Sequence, residues 1–269
     1  MTTLATPIDR RSSGFVPATL IVARRAALRY LRTPQLVVLG TIQMAGFMLV
    51  YRYVFGGAID AGNIPYVDFV VPGFVTTGVL FMGIGASVAV AEDLEQGFID
   101  RLRSLPIPRS SVLAARALAD TAILTWSLGV TVAIGFLVGF RLHGSPLEGL
   151  AAFGLVVLFG YVFEWTFIAM GLFARTPQAA QGFGLLVFPL TFLSSAYVPV
   201  DSMPRALQLF AEYQPITYMV DAVRALTLGP DASAQLGHPA GYFIPRALAW
   251  AVAILAVSVP LSVARYRRG

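Results

Sequence analysis

The stretch EDLEQGFIDRLRSLPIPR, residues 92–109, separates two long uncharged apolar runs, residues 69–91 and 121–140. Within it Leu94, Phe98, Leu102 and Leu105 recur at steps of four, four and three, which puts them on one stripe of a short helix. Glu92, Asp93, Gln96, Asp100, Arg103 and Ser104 take the opposite side. Pro106 and Pro108 then stop the helix. A short amphipathic helix tethered between two membrane spans stays at the bilayer surface. Its apolar stripe can rest on the membrane domain while its charged side faces the cytoplasm. The competing reading is a solvated loop with a single helical turn, because charge runs commonly mark wet faces.

The flanking runs set the class. Of 269 residues, 57% are hydrophobic and 12% charged, against about 25% charged in soluble domains. A membrane span needs roughly 20 apolar residues. Six runs qualify, at residues 36–55, 66–91, 121–140, 149–174, 178–200 and 247–264. The expected fold is therefore an all-α integral membrane protein of six transmembrane helices, one transmembrane domain over residues 1–269. Residues 1–14 are polar and do not form a secretory signal, since the first long apolar run begins near Leu36 and several follow. Residues 15–32 form a basic amphipathic helix, with Arg24, Arg25, Arg29 and Arg32 on one side. It either lies in the membrane interface or extends the first span into the cytosol. Between the last two runs, residues 201–246 read as two short helices at or dipping into the outer membrane face. The first starts at Asp201, Ser202 and Pro204 and breaks at Gln214 and Pro215; the second ends at Gly229 and Pro230. An exposed loop, residues 231–239, follows.

All 19 basic residues are Arg. A phosphate-binding P-loop needs a Lys, so any ATP hydrolysis must reside on another polypeptide. The absence of Cys excludes disulfides and thiolate metal sites. The two histidines, His143 and His238, read as solvated loop residues. The net charge of +5 comes from arginines dispersed at span edges, which argues for membrane topology and against nucleic-acid binding. With the N-terminus inside, 14 arginines fall on the inner segments and 5 on the outer ones. Positive charge marks the cytoplasmic side, so both termini and residues 92–109 are expected there.

Glu92, Glu95, Gly97, Leu102, Leu105, Pro106 and Arg109 together resemble the segment between the second and third spans of the ABC-2 permeases of ABC exporters. Where family members often have Gly-Lys, this chain has Ala115 and Arg116. A second match runs through Gln214, Pro215, Ile216 and Thr217, then Ala222, Arg224 and Leu226. It is similar to the daunorubicin-resistance-like branch, whose members export drugs or lipids. The resemblance implies an N-terminal interfacial helix, a cytoplasmic coupling helix between spans two and three, and short outer-face helices between spans five and six. It implies a permease subunit moving an amphipathic drug, lipid or glycan out of the cytoplasm or inner leaflet. It also implies a second permease copy or paralogue and contact with membrane lipid, in the inner or plasma membrane of a prokaryote. ATP and Mg would bind a separate ABC ATPase subunit, leaving this chain no cofactor or catalytic residue. In the coupling helix Phe98, Leu102 and Leu105, with Leu94 on the same stripe, would pack into an ATPase groove. Glu92, Glu95, Arg101 and Arg103 would set electrostatic register.

Glu164 lies in the middle of the fourth run, between Phe163 and Trp165. A charge there costs ~3 kcal/mol on insertion scales and usually faces a cavity or a partner. Glu164, with Trp165 and Tyr161, therefore marks either the transport path, a subunit interface or a hydrogen-bonded structural position. Asp120 and Arg116 stand one helical turn apart and read as an ion pair. The Gly135-x-x-x-Gly139 spacing permits close helix packing. Aromatics such as Tyr51, Phe163 and Phe192 either line an amphiphile path or face lipid. The alternative function is a proton-coupled secondary transporter using Glu164; a single mid-span acid and the lack of an inverted repeat weigh against it.

The topology is testable because there is no native Cys to remove. A cysteine at Ser233 is expected to react with a membrane-impermeant maleimide from outside the cell; reaction from the cytoplasmic side alone overturns the six-span arrangement.

Overall fold

The computed structural model describes residues 34–59, 61, 64–99 and 109–268. The helix expected over residues 15–32, and residues 100–108, lie outside the described residues. Among those described, every regular element is helical. Helix α1 (Pro34–Val50) runs into a π-helical turn, Tyr51–Phe55. The long helices α2 (Tyr66–Glu95), α3 (Arg109–Leu137) and α4 (Pro146–Ala174) follow. Two short helices, α5 (Pro177–Gly184) and α6 (Val187–Phe192), come next. Then come α7 (Arg205–Tyr213), α8 (Pro215–Leu228), α9 (Ala232–Leu236) and the long α10 (Ala240–Arg268).

The chain is a multi-pass membrane protein: α2, α3, α4 and α10, at 28–30 residues each, are long and apolar enough to cross a bilayer. The other two apolar runs are not simple helices. The first has 17 α-helical residues and continues through the 5 residues of the π turn. The fifth is broken after Gly184. Pro189 has no N–H to offer the carbonyl of Leu185, which instead accepts from Phe188 N at 3.3 Å. Helix α3 starts earlier than its apolar run, so Arg116 and Asp120 lie within it.

Local sequence explains the helix ends. The Ser145 hydroxyl accepts from Glu148 N and the Glu148 carboxylate accepts from Ser145 N, with Pro146 in the first turn, a complete capping box for α4. At α5 the Thr176 hydroxyl accepts from Ala179 N, with Pro177 in the first turn. The Gly135-x-x-x-Gly139 motif is not a continuous packing stripe. Gly135 faces Val71 of this same chain, while Gly139 lies past the end of α3 with φ 107°.

Helices α2 and α4 form the centre. Around them pack α3, α5, α8 and α10. One apolar cluster fills the end where α2 and α4 begin, with Phe74, Phe159, Met219 and Val223 among its buried members. A second fills the opposite end, joining Val90, Leu113, Ile168, Leu172 and Tyr266. Helix α8, expected at or dipping into the outer membrane face, packs within the core, with Met219, Val220, Ala222 and Ala225 all buried. Residues 231–239 are not simply an exposed loop. A 3-10 turn, Gly229–Asp231, leads into α9, where Ala232 is buried and Gln235 Nε2 donates to the Ala61 carbonyl. His143 is likewise not merely solvated, since its Nε2 pairs with Asp68 Oδ2 at 2.9 Å. Arg52, in the π turn, donates to the Val138 carbonyl beyond the end of α3.

The fully buried Arg224 joins three elements. Its Nε donates to the Phe69 carbonyl of α2 at 3.1 Å, and its Nη1 to Asp221 Oδ1 at 2.7 Å. Its Nη2 donates to the Ser195 carbonyl at 2.8 Å, and the guanidinium lies 3.8 Å over the Phe69 ring. Asp221 also accepts from Ser195 Oγ at 2.7 Å. Residues 193–197, which close the broken fifth run, are thus held by side chains. Tyr66 donates to the Tyr197 carbonyl, and Tyr197 Oη is 2.8 Å from Thr77 Oγ1. A methyl group on Gly73 would overlap the carbonyl of Ala196, so α2 must carry glycine there.

Removing one partner of a buried pair costs roughly 3–5 kcal/mol. Arg224→Ala is expected to destabilise the detergent-purified protein by about that much, and Arg224→Lys to fail as a substitute because it lacks the planar fork. Gly73→Ala should also lower the melting temperature, whereas Gly129→Ala, which meets nothing within 4 Å, should not. Thermal unfolding of the four variants checks the order; a wild-type melting temperature for Arg224→Ala would show that the network is dispensable.

Candidate functional site

Charged and aromatic side chains gather where α2 ends and α3 begins. Gln96 N donates to the Glu92 carbonyl and Gly97 N to that of Leu94. Gly97 takes φ 67°, a left-handed conformation in which glycine ends helices without a Cβ penalty. The chain turns there, and Phe98 and Ile99 resume helical geometry. Glu92, Asp93, Leu94 and Glu95 therefore belong to α2, and the helix break separates Leu94 from Phe98. Glu92 and Glu95 are exposed and Leu94 is half-buried. Phe98 is 42% exposed, while Ile99 is only 6% exposed and anchors the turn in the second apolar cluster. Stepping by four across Gly97 missed Ile99; reading Gly97 as a helix stop would have found it. Arg101, Leu102, Arg103 and Leu105 lie outside the described residues.

From this corner a line of charged groups runs into the membrane interior. Arg116 of α3 donates through Nη1 to Asp93 Oδ2 on α2. Its Nε stands 3.4 Å from Asp120 Oδ2, one turn further along α3. The Asp120 carboxyl faces that of Glu164 on α4. The sequence pattern paired Arg116 with Asp120, as observed, but gave no sign that Asp93 and Glu164 join them, because both contacts cross between helices. Glu164 is 4% exposed and sits inside this chain's own bundle. Trp165 is buried beside it, and Tyr161 meets Trp165 edge-on at 6.5 Å. The Trp165 carbonyl accepts from Ser262 Oγ of α10 at 3.2 Å, tying α4 to the last helix.

A separate apolar cavity of about 410 Å³ opens towards the other end of the bundle, lined by Phe163, Leu190, Leu209, Phe210, Tyr213 and Trp250. Phe163 and the apolar residues of α7 stood out in the sequence, but not that α4, α6, α7 and α10 bring them together.

The sequence pattern of the family described as "ABC-2 type transporter" matches residues 17–228. Over 254 residues the chain is 29% identical to the daunorubicin resistance ABC transporter permease protein DrrB1 of Streptomyces coeruleorubidus, covering 94% of this chain and 87% of that protein. It is 27% identical over 261 residues to the probable doxorubicin resistance ABC transporter permease protein DrrC of Mycobacterium tuberculosis, covering 94% and 90%. A 26% identity over 178 residues links it to the probable multidrug ABC transporter permease YbhR of Escherichia coli, covering 65% and 47%. The long apolar helices, the charged corner between α2 and α3 and a family match over most of the sequence agree, and the chain belongs to the ABC-2 type transporter family.

Proposed function

We propose that this chain is the membrane subunit of an ATP-driven exporter of amphipathic, drug-like molecules, and that its 92–109 segment docks on a separate ABC ATPase. Phe98 carries the docking reading. It is a large aromatic side chain left 42% exposed beyond the end of α2, where a membrane protein otherwise gains by covering it. Glu92 and Glu95, exposed beside it, form a charged rim suited to setting register. Leu102, Leu105, Arg101 and Arg103 complete the segment in sequence. Drug export rests on two relatives named as drug resistance permeases. The apolar, aromatic-lined cavity supports an amphipathic cargo, with lipid or glycan as the competing classes.

In this reading the six apolar runs make six crossings, both termini are cytoplasmic, and two copies or two related chains assemble in a prokaryotic cell membrane. The broken fifth run crosses with its irregular backbone shielded by α2 and α8, as an apolar surrounding demands. The family match favours this arrangement over a proton-coupled carrier.

Truncating a buried aromatic anchor commonly costs about 2 kcal/mol or more, roughly 30-fold in affinity. Phe98→Ala is therefore expected to lose co-purification with the ATPase, or to leave ATP hydrolysis running without daunorubicin uptake into inverted vesicles. Glu95→Gln should be milder. Trp126→Ala, on an exposed face of α3, is the control and should leave both intact. Wild-type binding and coupling in Phe98→Ala would reduce the segment to a solvated loop.

A further inference from the structure

Four charged residues on three helices, Asp93, Arg116, Asp120 and Glu164, form a continuous line from the corner between α2 and α3 to the middle of α4. Arg116 touches Asp93 and Asp120, and Asp120 faces Glu164. The surroundings grow drier along the line. The side chains of Arg116 and Asp93 are about one-fifth exposed (21% and 20%), that of Asp120 10%, and Glu164 lies fully inside. At its inner end Glu164 Oε1 is buried with no hydrogen-bond partner among the described residues. A buried acceptor left without a donor is uncommon in a resting structure and calls for an explanation.

The helices differ in how they are joined at this level. The α2–α4 contact is a backbone approach: a methyl group on Gly171 of α4 would overlap the Ser87 carbonyl of α2. Phe167 of α4 fills the space beside Gly83 of α2. Such close packing has little room to slide. Helix α3 meets the end of α2 through the Arg116–Asp93 pair, one-fifth exposed on each side, next to the apolar cluster that holds Val90 and Leu113, so water at the rim can take up part of what a separating pair loses. A push on the 92–109 segment reaches α2 and α3 together, and this pair is where they can part.

We propose, on the exporter reading above, that Arg116 is a positioning residue that exchanges carboxylate partners during the transport cycle. In the present state it bridges Asp93 and Asp120. In the other state it releases Asp93, turns inward to the Asp120–Glu164 pair and supplies the donor that Glu164 Oε1 lacks. The exchange sets the angle between α2 and α3 and transmits the state of the ATPase to the centre of α4. It meets the requirement for coupling, a two-state element that both ends bias. No proton or substrate need leave the line.

The two ends of the line make opposite demands. Asp93→Asn weakens the hold on the present state, and Glu164→Gln weakens the attraction of the other. Each isosteric variant is purified with the partner ATPase, and ATP turnover is measured without cargo in lipid nanodiscs. The two single variants are expected to shift turnover in opposite directions by roughly 5-fold or more, the usual size of an allosteric coupling, and the double variant to return towards wild type. Arg116→Lys, which keeps the charge but not the fork, should give intermediate coupling. Should Glu164→Gln fail to insert, Asp120→Asn probes the same end. Changes of the same sign in both single variants, or wild-type turnover in both with the ATPase still bound, overturn the exchange and leave the exporter reading standing. Failure of the wild-type chain to bind any ABC ATPase overturns the exporter reading and the exchange with it.

Discussion

The fold depends on one buried guanidinium. Residues 193–197 leave regular helix among apolar surroundings, and their carbonyls need donors that neither water nor a helix supplies there. Arg224 Nη2 serves the carbonyls of Ser195 and, at 3.4 Å, Ala196, and Nε adds a bond to α2, while Asp221 and the Phe69 ring balance its charge. A dry guanidinium is tolerable only when every donor and its charge are matched. The broken fifth run, α8 and the start of α2 therefore stabilise one another or not at all. Gly73 records the same constraint as a space requirement, since the Ala196 carbonyl occupies the room a side chain would take.

The two ends of the bundle are built differently. The end around Arg224 is dense in hydrogen bonds beside the Arg224–Asp221 ion pair: Tyr66 to Tyr197, Thr77 with Tyr197, Ser195 to Asp221, with the Tyr51 and Tyr197 rings stacked at 4.7 Å. Such a network rigidifies. The end around Arg116 has ion pairs that are partly exposed and, among the described residues, a buried acceptor without a donor. Beside it lies an apolar cluster reaching from Ile99 to Tyr266. A rigid end and a deformable end suit a machine in which force enters at one side of the membrane and is resisted at the other.

The helix ends show how local chemistry reaches function. Ser145 with Glu148, Thr176 with Pro177, and Gly97 are each readable from neighbouring residues, and each sets where a helix starts or stops. Gly97 matters most, because it ends α2 just before Phe98 and so leaves the aromatic ring standing clear of the bundle while Ile99 is driven into it.

Hydropathy, the exclusive use of arginine and two short motifs were enough to establish an all-helical membrane protein, its family and the place of the charged corner, because each is a property of composition or of spacing along the chain. The same periodicity could not see past a local break: it ran one stripe through Gly97 and gave no sign that the fifth run is interrupted or that α8 is buried in the core. Three-dimensional packing decided those points. Whether Arg224 snorkels or becomes the centre of the core, and whether Glu164 stands alone or ends a line of charge from Asp93, depends on side chains brought together from distant helices. One-dimensional spacing carries no trace of those meetings, since the free energy that selects them comes from matching donors to acceptors across helices after the helices have packed.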